Sequence, residues 1–162
     1  MMERKPEWLR VRYNQDAVNE VAELMRELNL NTVCREANCP NLGECYRKHT
    51  STFLILGSVC TRNCRFCNVT TGKPQPLDPD EPMNVAIAAK KLKLRHVVLT
   101  CSTRDDLPDG GAEQFAKTVR AIRELCPGTT VETLISDMKM NTDALDTVIA
   151  AHPEVLNHNV ET

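Results

Sequence analysis

The sequence predicts an α/β fold built on a parallel sheet, on three observations. Short apolar runs of strand length recur along the chain, helical apolar stripes separate them, and Pro or Gly stands at the joints. Strands that alternate with helices pair in parallel through right-handed βαβ crossovers. A closed eight-stranded barrel takes about 250 residues. The expected architecture is therefore an incomplete parallel (β/α) barrel, truncated after about four strands, behind an N-terminal helix and a Cys-rich loop.

Each element follows from its residues. Between residues 14 and 29, Ala17, Val18, Val21, Leu24, Met25 and Leu28 fall on one stripe at helical spacing, which predicts an amphipathic helix. Asn31 to Thr52 has little periodicity, a loop that is hard to order unless a metal ties it down. Thr52-Phe53-Leu54-Ile55-Leu56 ends at Gly57 and suits a buried strand. Pro74, Pro76, Pro79 and Pro82 punctuate a connector, and Pro82 suits the first turn of a helix carrying Val85, Ile87, Ala88 and Leu92. His96 to Thr100 is the second strand. Gly111 opens a helix with Phe115, Val119, Ile122 and Leu125 on one face, stopped by Pro127-Gly128. Thr130 to Ile135 is the third strand, Asn141 to Ala151 a helix, and Val155 to Val160 the fourth strand. The expected division is an N-terminal extension over 1–51 and the incomplete barrel over 52–162.

Composition removes several classes of function. The chain has 162 residues, 41% hydrophobic and 26% charged, with 20 basic against 22 acidic residues and a net charge of -2. No global field steers it to nucleic acid or an anionic membrane. No stretch approaches the ~20 apolar residues of a membrane span, and no apolar leader follows the N-terminus, so a cytoplasmic setting is expected. In a reducing compartment the eight cysteines are better metal ligands than disulfides.

Six of those cysteines form two triplets. Cys60-Thr-Arg-Asn-Cys64-Arg-Phe-Cys67 has the spacing C-x3-C-x2-C, and Cys34, Cys39 and Cys45 have the spacing C-x4-C-x5-C. Three thiolates on one short loop can hold three irons of a four-iron cluster and leave the fourth open to a substrate, whereas electron carriers usually fill every site with Cys. The competing zinc knuckle needs four ligands, and His49 is the only local candidate for the fourth. In a parallel barrel the loops after the strands gather at one rim, which brings together Cys60 to Cys67, Thr100 to Gly111, the segment after Ile135, and Asn157 to Thr162.

The C-x3-C-x2-C loop resembles the cluster loop of radical S-adenosylmethionine (SAM) enzymes. With the upstream triplet and the flanking motifs Lys5-Pro6-Glu7-Trp8-Leu9-Arg10, Arg104 to Gly111 and Asn157 to Thr162, it resembles the lipoyl synthase family over nearly the whole chain. That resemblance implies a partial barrel of radical SAM type, of which this chain matches the N-terminal half to two-thirds. It implies that Cys60, Cys64 and Cys67 hold a [4Fe–4S] cluster whose open iron binds the amino and carboxylate groups of SAM, with Phe66 beside the adenine. Cys34, Cys39 and Cys45 would hold an auxiliary [4Fe–4S] cluster that is the sulfur source, and no residue here matches the family's serine ligand to it.

The acidic, glycine-rich segment with Asp106, Gly110 and Gly111 is tipped by the resemblance toward the methionine end of SAM, where the alternative is a solvated surface turn. Asn157, Asn159 and Glu161 alternate on one side of the fourth strand, and Asn159 and Glu161 are candidate polar contacts to the cofactor. The implied reaction inserts sulfur at carbons 6 and 8 of an octanoyl chain on a lipoyl carrier domain. A ferredoxin or flavodoxin would supply electrons, and a missing C-terminal half would complete the enzyme. The alternative is a truncated or split, non-catalytic iron–sulfur or zinc module.

The chain departs from the family at two strand ends: Cys101-Ser102-Thr103 replaces Ser-Val-Asp, and Ser136-Asp137-Met138 replaces Pro-Asp-Phe. Cys101 and Cys126 read as buried, inert thiols, Trp8 as a packing anchor, and His96 and His152 carry no role.

Overall fold

The computed structural model describes residues 15–36, 39, 41, 44–45 and 50–160. Trp8 with its flanking motif, His49 and Glu161 lie outside the described residues. Helix α1 (Gln15–Glu27) turns Val21, Leu24 and Met25 into the core, as the stripe requires. Strand β1 (Asn31–Thr32) and the short helix α2 (Val33–Glu36) follow, where the sequence shows no periodicity. Tertiary contact orders them: β1 pairs antiparallel with β2 (Thr50–Ile55), setting Asn31 opposite Leu54 and Thr32 opposite Phe53.

Two short strands, β3 (Val59–Cys60) and β4 (Thr70–Thr71), form their own parallel ladder. The remaining elements are α3 (Glu81–Lys91), β5 (His96–Cys101), α4 (Ala112–Leu125), β6 (Thr130–Ile135), a left-handed turn at Met138–Met140, α5 (Thr142–Ile149) and β7 (Val155–His158). The main sheet has five strands in the order β1-β2-β5-β6-β7. Pairs β2–β5, β5–β6 and β6–β7 are parallel, so the expected parallel α/β sheet of four strands is present, and among the described residues it does not close.

Burial follows the period of two along the strands. Phe53, Ile55, Val97, Leu99 and Val131 are fully buried and join Val85, Phe115, Val119, Ile122 and Val148 of the helices in one core. The opposite face of the sheet, apart from the buried Leu54, is mostly half-buried and carries a polar network. There Nε2 of His96 pairs with Glu132 Oε2 at 3.2 Å, its Nδ1 pairs with Thr130 Oγ1 at 2.7 Å, and Asn157 Nδ2 donates to Glu132 Oε1 at 2.5 Å. This cross-strand network accounts for the polar Asn157 that the sequence marks as odd in a strand. The fourth strand stops at His158, two residues earlier than expected, because β6, its partner among the described residues, ends at Ile135, opposite His158. Asn159 therefore lies beyond the strand and exposed, and the predicted alternation through it does not hold.

Candidate functional site

Parallel strands put all their C-terminal ends on one side, and the register makes Ile55 opposite Cys101 and Ile135 opposite His158. The loops that leave these ends form the rim. The first begins with a strained turn, for Leu56 and Gly57 both have positive φ, 69° and 88°. Two buried charged groups grip its peptide from opposite sides. Glu81 Oε2 accepts from the Leu56 N–H at 3.1 Å, and Arg104 Nη1 donates to the Leu56 carbonyl at 3.1 Å. Ser102 adds a hydroxyl bond to the Gly57 carbonyl at 2.8 Å.

Glu81 is 4% exposed, and burial pushes its carboxyl up from the ordinary value of 4.5, while bonds from the Leu56 N–H and the Gln114 amide resist the rise. A raised folded-state pKa adds stability below pH 4.5 that is lost as pH rises through the folded value. Glu81→Gln removes that dependence. The stability of the variant relative to the parent chain should rise from pH 4 to pH 7, as measured by urea midpoints of the two chains at both conditions.

The triplet loop follows this turn. Cys60 ends β3, and the β3–β4 ladder closes the loop behind Cys64 and Cys67. Cys60 and Cys64 are half-buried, Cys67 is exposed, and all three are free thiols. The Cys67 N–H donates to the Cys64 carbonyl at 3.0 Å, which winds the loop. Two backbone amides point at the sulfurs: Arg62 N–H to Cys60 Sγ at 3.4 Å and Val69 N–H to Cys67 Sγ at 3.5 Å. Hydrogen bonds to cysteine sulfur belong to the controls on iron–sulfur potential, so this donor set fits iron–sulfur ligation. Among the described residues no group of three or more His, Cys, Asp or Glu side chains is arranged to hold a metal ion.

The loop is fastened to its neighbours. Thr61 donates from its N–H and its hydroxyl to the Thr103 carbonyl, both at 3.0 Å, and its hydroxyl oxygen accepts from the Asp105 N–H at 3.1 Å. Arg62 makes a two-pronged pair with Asp105, Nε to Oδ2 at 2.7 Å and Nη2 to Oδ1 at 2.8 Å, and a further bond to Asp137 Oδ1 at 2.6 Å. Arg62 holds both carboxyls below the usual carboxylate range, and the two carboxylates in turn keep its guanidinium protonated. Sequence reasoning did not single out Arg62. Its signal was a cation between two ligand positions, with carboxylates at the ends of neighbouring parallel strands.

The other expected site residues are distributed as follows. Phe66 stands at the loop tip, 68% exposed, with its ring free to stack. Asp106 is engaged by Arg104 through bonds of 2.9 and 2.8 Å, and that partner lowers its carboxyl pKa. Gly110 and Gly111 have φ of 60° and 92° and face protein: a Cβ on Gly111 would stand 2.3 Å from Leu56 Cδ1, and one on Gly110 would stand 3.4 Å from Met138. Close packing on Leu56 requires Gly111, whereas at Gly110 the contact is ordinary and the left-handed φ is what calls for glycine. Cys101, expected to be buried, is only half-buried at the rim, and loss of hydration still pushes its thiol up to about 12, which keeps it protonated at neutral pH. Beside Asp137 opens a cavity of about 350 Å³ with Ile135, Met138, Leu145 and Leu156 in its mainly apolar wall.

Of the second triplet, Cys34 is buried on α2, and Cys39 and Cys45 are half-buried. The Cys39 N–H donates to the Cys34 carbonyl at 3.0 Å. Burial raises the Cys34 pKa, and the charges of Cys39 and Cys45 push it the same way. Asn68 of the first loop donates to the Glu36 carbonyl at 2.9 Å, which brings the two triplet segments into contact. No helix among the described residues is long and apolar enough to cross a membrane.

The chain matches the family model of the Radical SAM superfamily over residues 54–162. It is 56% identical over 162 residues to a lipoyl synthase of Caldanaerobacter subterraneus, covering 100% of this chain and 57% of that protein. It is 54% identical to a lipoyl synthase of Roseiflexus, with 98% and 53% covered, and 56% identical to one of Geobacter sulfurreducens, with 98% and 52% covered. The chain spans about half the length of the curated relatives it matches. Membership implies a [4Fe–4S] cluster and SAM. A parallel sheet with a three-cysteine loop at the mouth of its first strand, matched over more than half its residues by that family model, places the chain in the Radical SAM superfamily.

Proposed function

We propose that this chain supplies the cluster-bearing part of a lipoyl synthase, an enzyme that inserts sulfur at carbons 6 and 8 of an octanoyl group held on a lipoyl carrier domain, in a cytoplasmic setting, with a C-terminal half completing it. The observation that supports it best is the join between the two cysteine triplets. The loop of Cys60, Cys64 and Cys67 touches the segment of Cys34, Cys39 and Cys45 through Asn68, so a hydrogen-abstracting centre and a sulfur source would stand side by side. In this reading residues 1–51 form the extension that carries the auxiliary cluster, and 52–162 the barrel portion.

Cys60, Cys64 and Cys67 hold the first cluster and leave one iron for SAM, and Cys34, Cys39 and Cys45 hold the auxiliary one. When bound, cluster and SAM supply a carbon radical able to take hydrogen from an unactivated C–H bond. The protein positions the reactants and excludes water. Phe66 offers a face to the adenine, while Asp106, Gly110, Gly111, Asn159 and Glu161 are proposed around the rest of SAM. The packing of both glycines on protein makes their part indirect, through the shape of the loop. The apolar cavity beside Asp137 suits an alkyl chain better than a charged group. A low-potential donor such as ferredoxin or flavodoxin provides electrons.

Anaerobic reconstitution with iron and sulfide tests the reading. Two thiolate triplets should load about eight irons per chain, and Cys64→Ala should load about four. Tight uptake of one zinc with no iron or sulfide would overturn it.

A further inference from the structure

The rim holds a charge-balanced cluster that the function proposed above leaves without a task. Arg62 lies between two thiol positions of the loop and bonds Asp105, from the loop after β5, and Asp137, from the loop after β6. Lys139 donates through Nζ to the Asp105 carbonyl, and Thr71 Oγ1 donates to the Arg62 carbonyl at 3.0 Å. Two cations and two carboxylates therefore join three separate loops. The third loop is strained, because Met138, Lys139 and Met140 have φ of 46°, 53° and 62°, a run of left-handed backbone that L-residues resist by roughly 1–2 kcal/mol each. Such strain persists only where surrounding contacts over-determine it. Here the contacts are the pairs on Asp137 and Lys139, and the packing of Met138 against Gly110.

We propose that Arg62 is a positioning residue, the centre of a latch with Asp105, Asp137 and Lys139 that fixes the cysteine loop on the rim and sets, by its balanced charge, how readily the bound cluster accepts an electron. This rests on the cluster assignment above for its electronic half only; the mechanical half is a property of the protein itself. Both carboxylates are about a third exposed, so the Coulomb gain of each pair alone is modest. Geometry is the stronger argument, since one guanidinium reaches two loops that no other side chain of the triplet loop is seen to join.

The test uses Arg62→Ala, Arg62→Lys and Asp137→Asn with two readouts. In the metal-free chain, hydrogen exchange at residues 63–69 should quicken about tenfold in Arg62→Ala, with the core strands unchanged, and less in Arg62→Lys, which keeps the charge but not the fork. In reconstituted chains the cluster potential should fall in Arg62→Ala, where a cation is lost, and rise in Asp137→Asn, where an anion is lost. Unchanged loop exchange in Arg62→Ala, or potentials that move the same way in both variants, overturns the proposal. If Arg62→Ala does not fold, loop exchange is read in Arg62→Lys and the potential in Asp137→Asn, and an unchanged value in either overturns the proposal. A parent chain that takes up no iron defeats the cluster assignment instead, and the exchange result then decides the latch.

Discussion

Cys60→Ala should reduce 5′-deoxyadenosine formation from SAM to background in the reduced, reconstituted chain. Cys60 is the proposed ligand most tightly built into the frame: it ends β3, its carbonyl accepts from the Gly72 N–H at 3.0 Å, and its sulfur receives the Arg62 amide. In the proposed assignment its removal takes one of the cluster's three anchors and calls for a substitute. Cys101 comes closest to being one, but its thiol is pushed up to about 12, and a protonated thiol is a poor ligand. Cys101→Ala should accordingly keep most of the activity. Chromatographic measurement of 5′-deoxyadenosine in the two variants, at equal protein and dithionite, checks the pair. Full activity in Cys60→Ala would remove the triplet loop from the chemistry.

Gly111→Ala should cost about 3 kcal/mol of stability, from overpacking at roughly 1–3 kcal/mol and left-handed backbone at roughly 1–2 kcal/mol. The new methyl would meet Leu56 Cδ1 at 2.3 Å, Cδ2 at 2.9 Å and Cγ at 3.2 Å, and Leu56 is 1% exposed with nowhere to go. The damage falls on function as well. Leu56 is the residue whose peptide Glu81 and Arg104 clamp, and whose turn delivers the chain to Cys60. A fall in melting temperature of roughly 10 °C, with weakened iron retention, is the expected result by calorimetry and iron analysis. A variant that melts with the parent chain would show that the Leu56 turn yields easily.

Strand and helix existence was legible in the residues because the signal there is local. Phe53, Val97, Leu99 and Val131 are buried as the apolar runs require, and α4 buries Phe115, Val119 and Ile122 as its spacing requires. What the residues did not show has the common feature of depending on a distant partner. Strand β1 exists because β2 offers it an edge, and β3 exists because Thr70–Thr71 lies alongside. The early end of β7 reflects the length of β6, which no property of Asn159 could reveal.

The sequence by itself determined the parallel α/β frame, the rim and the two thiol triplets. Period and spacing carry those, and the parallel rule then places every strand-end loop on one side. Tertiary structure alone decided how the rim is held. Asp106 is committed to Arg104, Gly110 and Gly111 yield room to Met138 and Leu56, and Arg62 draws Asp105 and Asp137 onto the cysteine loop across 43 and 75 residues of chain. A charged side chain chooses its partner by distance after folding, and the spacing of residues along a chain does not encode that distance.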